Sequence, residues 1–276
     1  METLTRSASI HDRARKWRES GRKVALIPTR GTLHRGHMSL VAAAQDLADH
    51  VIVSIVAHPA LREGHEADLE LLAKVGADLL FLPPVQEIFP IGRELCATVS
   101  LPGLADDLEG AARPGHLSAI TTLLVKLVNI VRPDIAVFGE RDFQQLVMMR
   151  RLVDDLFLSV DVVGCPTWRD GDGLALASVN RELTAEQRAI APRLYATLAQ
   201  VAQQIDGGAR DYAALERRGE WLLNDAGFAT EYFHIRHAKD LAQPRPDTRD
   251  LVILAAARVD SIRLVDSYPV RLIDRY

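Results

Sequence analysis

Apolar positions along this chain follow two alternating rhythms. Short continuous apolar runs at residues 23–28 (KVALIP), 50–57 (HVIVSIVA), 78–83 (DLLFLP), 134–139 (DIAVFG) and 160–164 (VDVVG) predict buried strands. Between them, residues 9–20, 36–49, 66–76, 117–131 and 142–156 carry the composition and spaced apolar positions of helices. Ser7 or Ser9 is placed to cap the first of these. Strands that are apolar throughout and separated by helices predict a parallel sheet covered on both faces.

The pattern changes near residue 168. Residues 169–180 (RDGDGLALASVN) read as a glycine-rich loop. Residues 184–205 carry one long apolar stripe behind a Thr184–Gln187 capping-box signature, and residues 210–228 give another helix. Residues 230–237, 251–259 and 261–267 alternate as strands do. This predicts two units, residues 1–168 and a smaller α+β unit over 169–276.

A formal charge of −4 argues against a general nucleic-acid coat. No apolar run reaches the roughly 18 residues of a membrane span, and METLTRSASI lacks the apolar stretch of a secretory leader. A cytoplasmic protein with small-molecule partners is expected. Cys96 and Cys165 have neither metal-ligand spacing nor a disulfide framework, so both read as core residues.

Ligands of open parallel sheets bind outside the carboxyl ends of the strands. Three polar loops fall there, after Pro28, Ile55 and Phe138. In the first, Gly31 and Gly36 permit close approach of backbone to ligand, and a helix begins near His37. A helix start offers unpaired N–H groups to an anion, and His34 and His37 add donors, cationic if protonated. The loop is neither G-x-G-x-x-G nor a Walker loop. From residues alone it is either a phosphate site or a capped helix start with surface histidines.

His34-Arg35-Gly36-His37 resembles the HxGH signature of the nucleotidyltransferase superfamily. The surrounding chain is similar to the pantothenate synthetase (pantoate–β-alanine ligase) family through VALIPTRGTLHRGH, VSIVAHP, LEGAARPGH, VRPDIAVFGERDFQQL, DGLALASVN, LTAEQRAIAPRLY and RLVDS. The resemblance implies a Rossmann-like α/β fold with a C-terminal lid, a homodimer, and use of ATP and Mg2+. It also implies a reaction in which a carboxylate attacks the α-phosphorus of ATP and an amine then takes the acyl group.

The same resemblance assigns roles residue by residue. His34, His37 and Arg141 become catalytic, and Arg30, Gly31, Gly36, Gly139, Trp168, Leu176 and Ser178 line the nucleotide. Asp142 matches the aspartate associated with ATP and magnesium, and Gln145 a glutamine that binds the acid; His116, His58 and Leu61 fall at pocket positions. Without the resemblance, Asp142 reads as a helix cap.

Several positions depart from the family pattern. Arg30 stands for a methionine, Arg141 for a lysine, His58 for an asparagine and Leu61 for a glutamine. In the GLALASVN loop, Ala177 and Val179 stand for a serine and a phosphate-contacting arginine; Arg181 or Arg169 then becomes a candidate substitute. The segment after Leu61 is also short. Because these changes gather around the cleft, the expectation is retained adenylation chemistry with an altered acid or amine pocket. The ordinary pantoate–β-alanine ligase and a weakened nucleotide-binding homologue are the alternatives.

Overall fold

The computed structural model describes residues 1–56 and 65–272. All five predicted strands form: β2 (Val24–Thr29), β3 (His50–Ile55), β4 (Leu79–Phe81), β5 (Ile135–Gly139) and β6 (Asp161–Cys165). They pair in parallel in a six-stranded sheet of order β1-β4-β3-β2-β5-β6. The sixth strand, β1 (Glu2–Leu4), lies beside β4 and has no counterpart in the apolar pattern. Three mostly exposed residues at a sheet edge need no apolar run; register with Leu79–Phe81 and the Leu82 N–H to Leu4 carbonyl bond (2.8 Å) hold them.

Helices cover both faces. Alternate strand residues divide between them, because successive side chains in a strand point to opposite sides. Leu26, Ile52, Leu79, Phe81, Ala136 and Phe138 pack with α1 (Ser7–Glu19), α6 (His116–Val131) and α7 (Phe143–Leu156). Ala25, Ile27, Val51, Val53, Leu80 and Val137 pack on the other face with α2 (Arg35–Leu47) and α3 (His65–Lys74). Neither serine caps α1. Arg6 holds the cap position without a side-chain bond, and the Ser7 amide donates to Glu87 Oε1 at 2.8 Å.

From β2 the chain steps outward through β3 and β4, then returns to place β5 on the other side of β2. The carboxyl ends of β2 and β5 therefore flank the switch point, where a crevice opens. One-turn helices α4 (Val85–Ile88) and α5 (Glu109–Ala112) lie in the connection between β4 and β5.

Beyond β6, helices α8 (Ala185–Ile190), α9 (Arg193–Asp206) and α10 (Tyr212–Asp225) pack on an antiparallel sheet of β7 (Ala229–His237), β8 (Asp250–Val259) and β9 (Ile262–Arg271). The single helix expected over 184–205 is two, because Pro192 has no N–H to continue the ladder. The capping box forms as read: Thr184 N–H donates to Gln187 Oε1 (3.0 Å) and Gln187 N–H to Thr184 Oγ1 (3.3 Å). Strand β8 serves two cores. Leu251, Ile253, Ala255 and Ala257 face α9 and α10, whereas Val252, Leu254 and Ala256 join the cluster of the large sheet. No helix among the described residues is long and apolar enough to cross a membrane.

Candidate active site

A cleft of about 610 Å³ lies at the switch point, roofed by the C-terminal unit. That volume is within the range of small-molecule sites. It gathers Arg30, Gly31, His34, Gly36, His37, His116, Gly139, Arg141, Asp142, Gln145, Trp168, Leu176 and Ser178, from the loops predicted to meet there. His58 and Leu61 lie outside the described residues.

The two histidines form the cap of α2. His34 is the N-cap, and its Nδ1 accepts the Gly36 N–H at 3.2 Å. His37 Nδ1 reaches back to accept the His34 N–H at 3.3 Å, and the ring centroids stand 4.1 Å apart. A neutral imidazole whose Nδ1 accepts carries its proton on Nε2, so each ring keeps one N–H donor on its other edge. Burial, then Arg141 and Arg181, lowers the His34 pKa to about 4. Burial, then His34 and Arg141, lowers His37 to about 3. Both rings are neutral near pH 7, so they are uncharged donors; the cationic form that the sequence left open is absent there. Gly36 is needed because a Cβ would stand 3.0 Å from the His34 ring.

The loop feeding this cap turns through positive φ at Gly31 (87°) and at Thr32 (56°), a conformation costly for threonine. Asp68 on α3, only 3% exposed, holds it there. Its two carboxylate oxygens accept the Thr32 N–H (2.8 Å) and the Leu33 N–H (2.6 Å). Sequence reading missed Asp68, since nothing in a helix 36 residues away marks it as serving this loop. Asp68→Asn sets an amide group against one of those N–H donors. The expected outcome is a loss of about 1–3 kcal/mol in urea-monitored stability together with slower turnover.

Across the switch point, β5 ends at Gly139 and a short 3₁₀ turn (Glu140–Asp142) leads into α7. Asp142 occupies the N-cap position but makes no capping bond, so the helix-cap reading fails. Its carboxylate instead accepts from Arg141 Nη2 (2.8 Å) and Nε (3.2 Å). Asp142 is crowded by protein yet 49% exposed, because it opens onto the cleft. Burial raises its carboxyl, but Arg141, Arg30 and His37 outweigh that and leave it below the usual range. Arg141 also donates to the Leu176 carbonyl (3.4 Å), linking the large unit to the loop above.

Of the adjacent glutamines, Gln144 is committed to scaffolding. It accepts the Glu109 N–H and donates to the Leu104 and Asp107 carbonyls. Gln145 lines the cleft. His116 starts α6 with its Nε2 2.9 Å from Arg113 Nη1, and its pKa is lowered by burial and by Arg113.

The two arginines offered as substitutes at Val179 are engaged elsewhere. Arg169 pairs with buried Asp266 (2.6 and 3.0 Å), donates to the Gly173 carbonyl, and lies 3.8 Å over the Tyr195 ring. It braces the 168–176 hairpin. Arg181 donates to the Leu33 carbonyl (3.1 Å), tying the same unit to the histidine loop. Val179 packs partly against the core of the C-terminal unit while lining the cleft. Trp168, 55% exposed, presents its ring at the rim.

The family model for pantoate-beta-alanine ligase matches residues 2–269. The chain belongs to the pantoate–β-alanine ligase family. It is 44% identical to the pantothenate synthetase of Nitrosococcus oceani over 282 residues, covering 99% of each chain. A crystal structure of pantothenate synthetase from Thermus thermophilus superposes with a TM-score of 0.88 at 35% identity, covering 97% of this chain and 99% of that one. A pantoate–β-alanine ligase from Francisella tularensis, complexed with β-γ ATP and β-alanine, superposes with a TM-score of 0.77 at 28% identity, covering 97% of each. A member of this family is an ATP-dependent, AMP-forming carboxylate–amine ligase.

Proposed function

We propose that this chain joins pantoate to β-alanine at the expense of ATP. The observation that carries the reading is the paired-histidine cap at the head of α2, which faces Arg141 and Asp142 across the switch point. The names of the relatives favour these substrates over the altered pocket expected from the cleft substitutions. Two of those substitutions, at His58 and Leu61, fall outside the described residues and lend the altered pocket no structural support.

In the first step a carboxylate oxygen of pantoate bonds to the α-phosphorus of ATP. The bond to the bridging oxygen breaks, and pyrophosphate leaves with the electron pair. Here the Nε2–H groups of His34 and His37 donate to phosphoryl oxygens, and Arg141 supplies charge. Gly31, Gly36 and Gly139 keep the approach open, while Trp168, Leu176 and Ser178 bound the nucleotide. Gln145 and His116 hold the acid. In the second step the amine nitrogen bonds to the acyl carbon and loses one proton, and AMP departs as the C–O bond breaks.

Asp142 would hold Mg2+ with phosphate oxygens of the nucleotide, since magnesium commonly takes one or two carboxylates and keeps the rest of its shell from substrate and water. The donor set fits this use. Asp142 opens onto the cleft, and among the described residues no cluster of three or more acidic, His or Cys side chains forms a protein-only cage. Bound there, the ion would neutralise charge on the leaving pyrophosphate.

Residues 169–276 are proposed to act as the lid, with the division near 168. The separate core on α9 and α10 supports this, as do the polar ties from Arg181 and Arg141 across the cleft. The homodimer is proposed on the resemblance, and light scattering reads it.

ATP–pyrophosphate exchange tests the whole reading. Exchange is expected to require pantoate, and AMP and amide to form once β-alanine is added. Exchange with other acids but not pantoate would restore the altered pocket. No exchange, with no protection from unfolding by ATP, would leave a non-catalytic homologue.

A further inference from the structure

Among the described residues five arginines line the cleft: Arg30, Arg113, Arg141, Arg258 and Arg263. Four already have carboxylate partners. Arg113 and Arg263 pair with Glu109, Arg141 with Asp142, and Arg258 with Glu231. Among the described residues Arg30 alone of these five has neither an ion-pair nor a hydrogen-bond partner, and it is exposed.

Its position follows from the fold. Arg30 is the residue after β2, at the switch point, with the α2 cap following in the chain. It lines the same cleft as Asp142 and His116. A guanidinium therefore shares the cleft with the groups suited to polyphosphate and those suited to the acid.

Adenylation brings two anions into bonding contact, a carboxylate and an α-phosphate, so it needs positive charge between them. His34 and His37 donate hydrogen bonds but are uncharged near neutral pH. Arg141 serves the phosphoryl oxygens and shares its charge with Asp142. Among the described arginines of the cleft, Arg30 is the uncommitted cation.

We propose that Arg30 receives the carboxylate of the acyl substrate and holds it against the α-phosphorus of ATP, an assignment that rests on the ligase reading above. The planar fork of a guanidinium matches a carboxylate, leaving one carboxylate oxygen to bond to phosphorus while the other is held. Arg30 keeps all its protons throughout, and pyrophosphate carries away the electron pair of the broken P–O bond.

The test is equilibrium binding of pantoate to the full chain by calorimetry, in the presence of a non-hydrolysable ATP analogue. Arg30→Met, of similar length and uncharged, is expected to weaken pantoate binding about 10- to 100-fold, and Arg30→Lys to recover part of the loss. Affinity for the ATP analogue should stay within roughly twofold of wild type, since its phosphates face other donors. An Arg30→Met protein that binds pantoate as wild type does, or loses only nucleotide affinity, overturns the assignment and leaves the ligase reading standing. A wild-type protein that binds the analogue but not pantoate overturns both.

Discussion

Replacing His37 by alanine is expected to lower pantoate-dependent ATP–pyrophosphate exchange about 10²- to 10³-fold, the usual loss when a preorganised donor to a developing anion is removed. His34 should matter comparably, but it has two roles that substitution can separate. Alanine at position 34 removes both the Nε2–H donor and the N-cap, at a further cost of about 1 kcal/mol in stability. Asparagine at 34 caps well while leaving no ring donor, so His34→Asn should fold like wild type and still lose the rate. If His34→Asn retains wild-type exchange, the ring serves the helix and not the phosphate.

The pH dependence carries a second signature of the same pair. Both rings have folded-state pKa values below the ordinary value of 6.5, about 4 for His34 and about 3 for His37, chiefly through burial. The folded state thus favours the neutral form. The contribution to stability is fully present above pH 6.5 and is lost as pH falls through 4 and 3, because the unfolded chain takes up protons first. Urea unfolding should show wild type losing more stability than a His34→Asn/His37→Asn double variant between pH 6.5 and 4. Exchange activity should show no histidine limb between pH 6 and 8.

How much of this was legible beforehand depended on the distance over which each feature is encoded. The β2 loop, its glycines and its histidines are contiguous, so a helix start there could be read directly, although not that the histidines themselves form its cap. The parallel sheet followed from apolar runs that report burial on both faces. Features made by contacts distant in sequence were not legible. Asp68 reaches back from α3 to hold the histidine loop, and no spacing rule points to it. Arg169 reads as a candidate substitute at position 179 because its partner, Asp266, lies 97 residues on in β9. The edge strand β1 escaped because its three residues show no periodicity of their own, and the break at Pro192 was overrun by a continuous apolar stripe. Asp142 shows the converse error. A local cap was the natural reading of a carboxylate at a helix start, but its neighbour Arg141 takes it away from the helix amides.

Arg169→Met is expected to be among the most destabilising single changes near the cleft. Asp266 is 2% exposed, and its carboxylate is met by both terminal nitrogens of Arg169. Removing the guanidinium leaves a buried charge with, among the described residues, only the Ser267 N–H donating to it (2.8 Å), a change of the kind that costs about 3–5 kcal/mol. It also frees the Tyr195 ring and the Gly173 carbonyl, so the 168–176 hairpin should loosen and nucleotide affinity should fall with stability. Even with its partner, Asp266 has a carboxyl raised above the ordinary value by burial. A raised carboxyl favours folding in its protonated form and opposes it as pH climbs through the folded value. Without Arg169 the rise is larger. The variant should therefore be closer to wild type at pH 5 than at pH 8, opposite in sign to the histidine effect. Arg169→Met/Asp266→Asn should recover much of the lost stability, since no unpaired charge then remains buried. Equal destabilisation at both pH values, or a double variant no better than the single one, would place the role of Arg169 in its contact with Tyr195 instead of its pairing with Asp266.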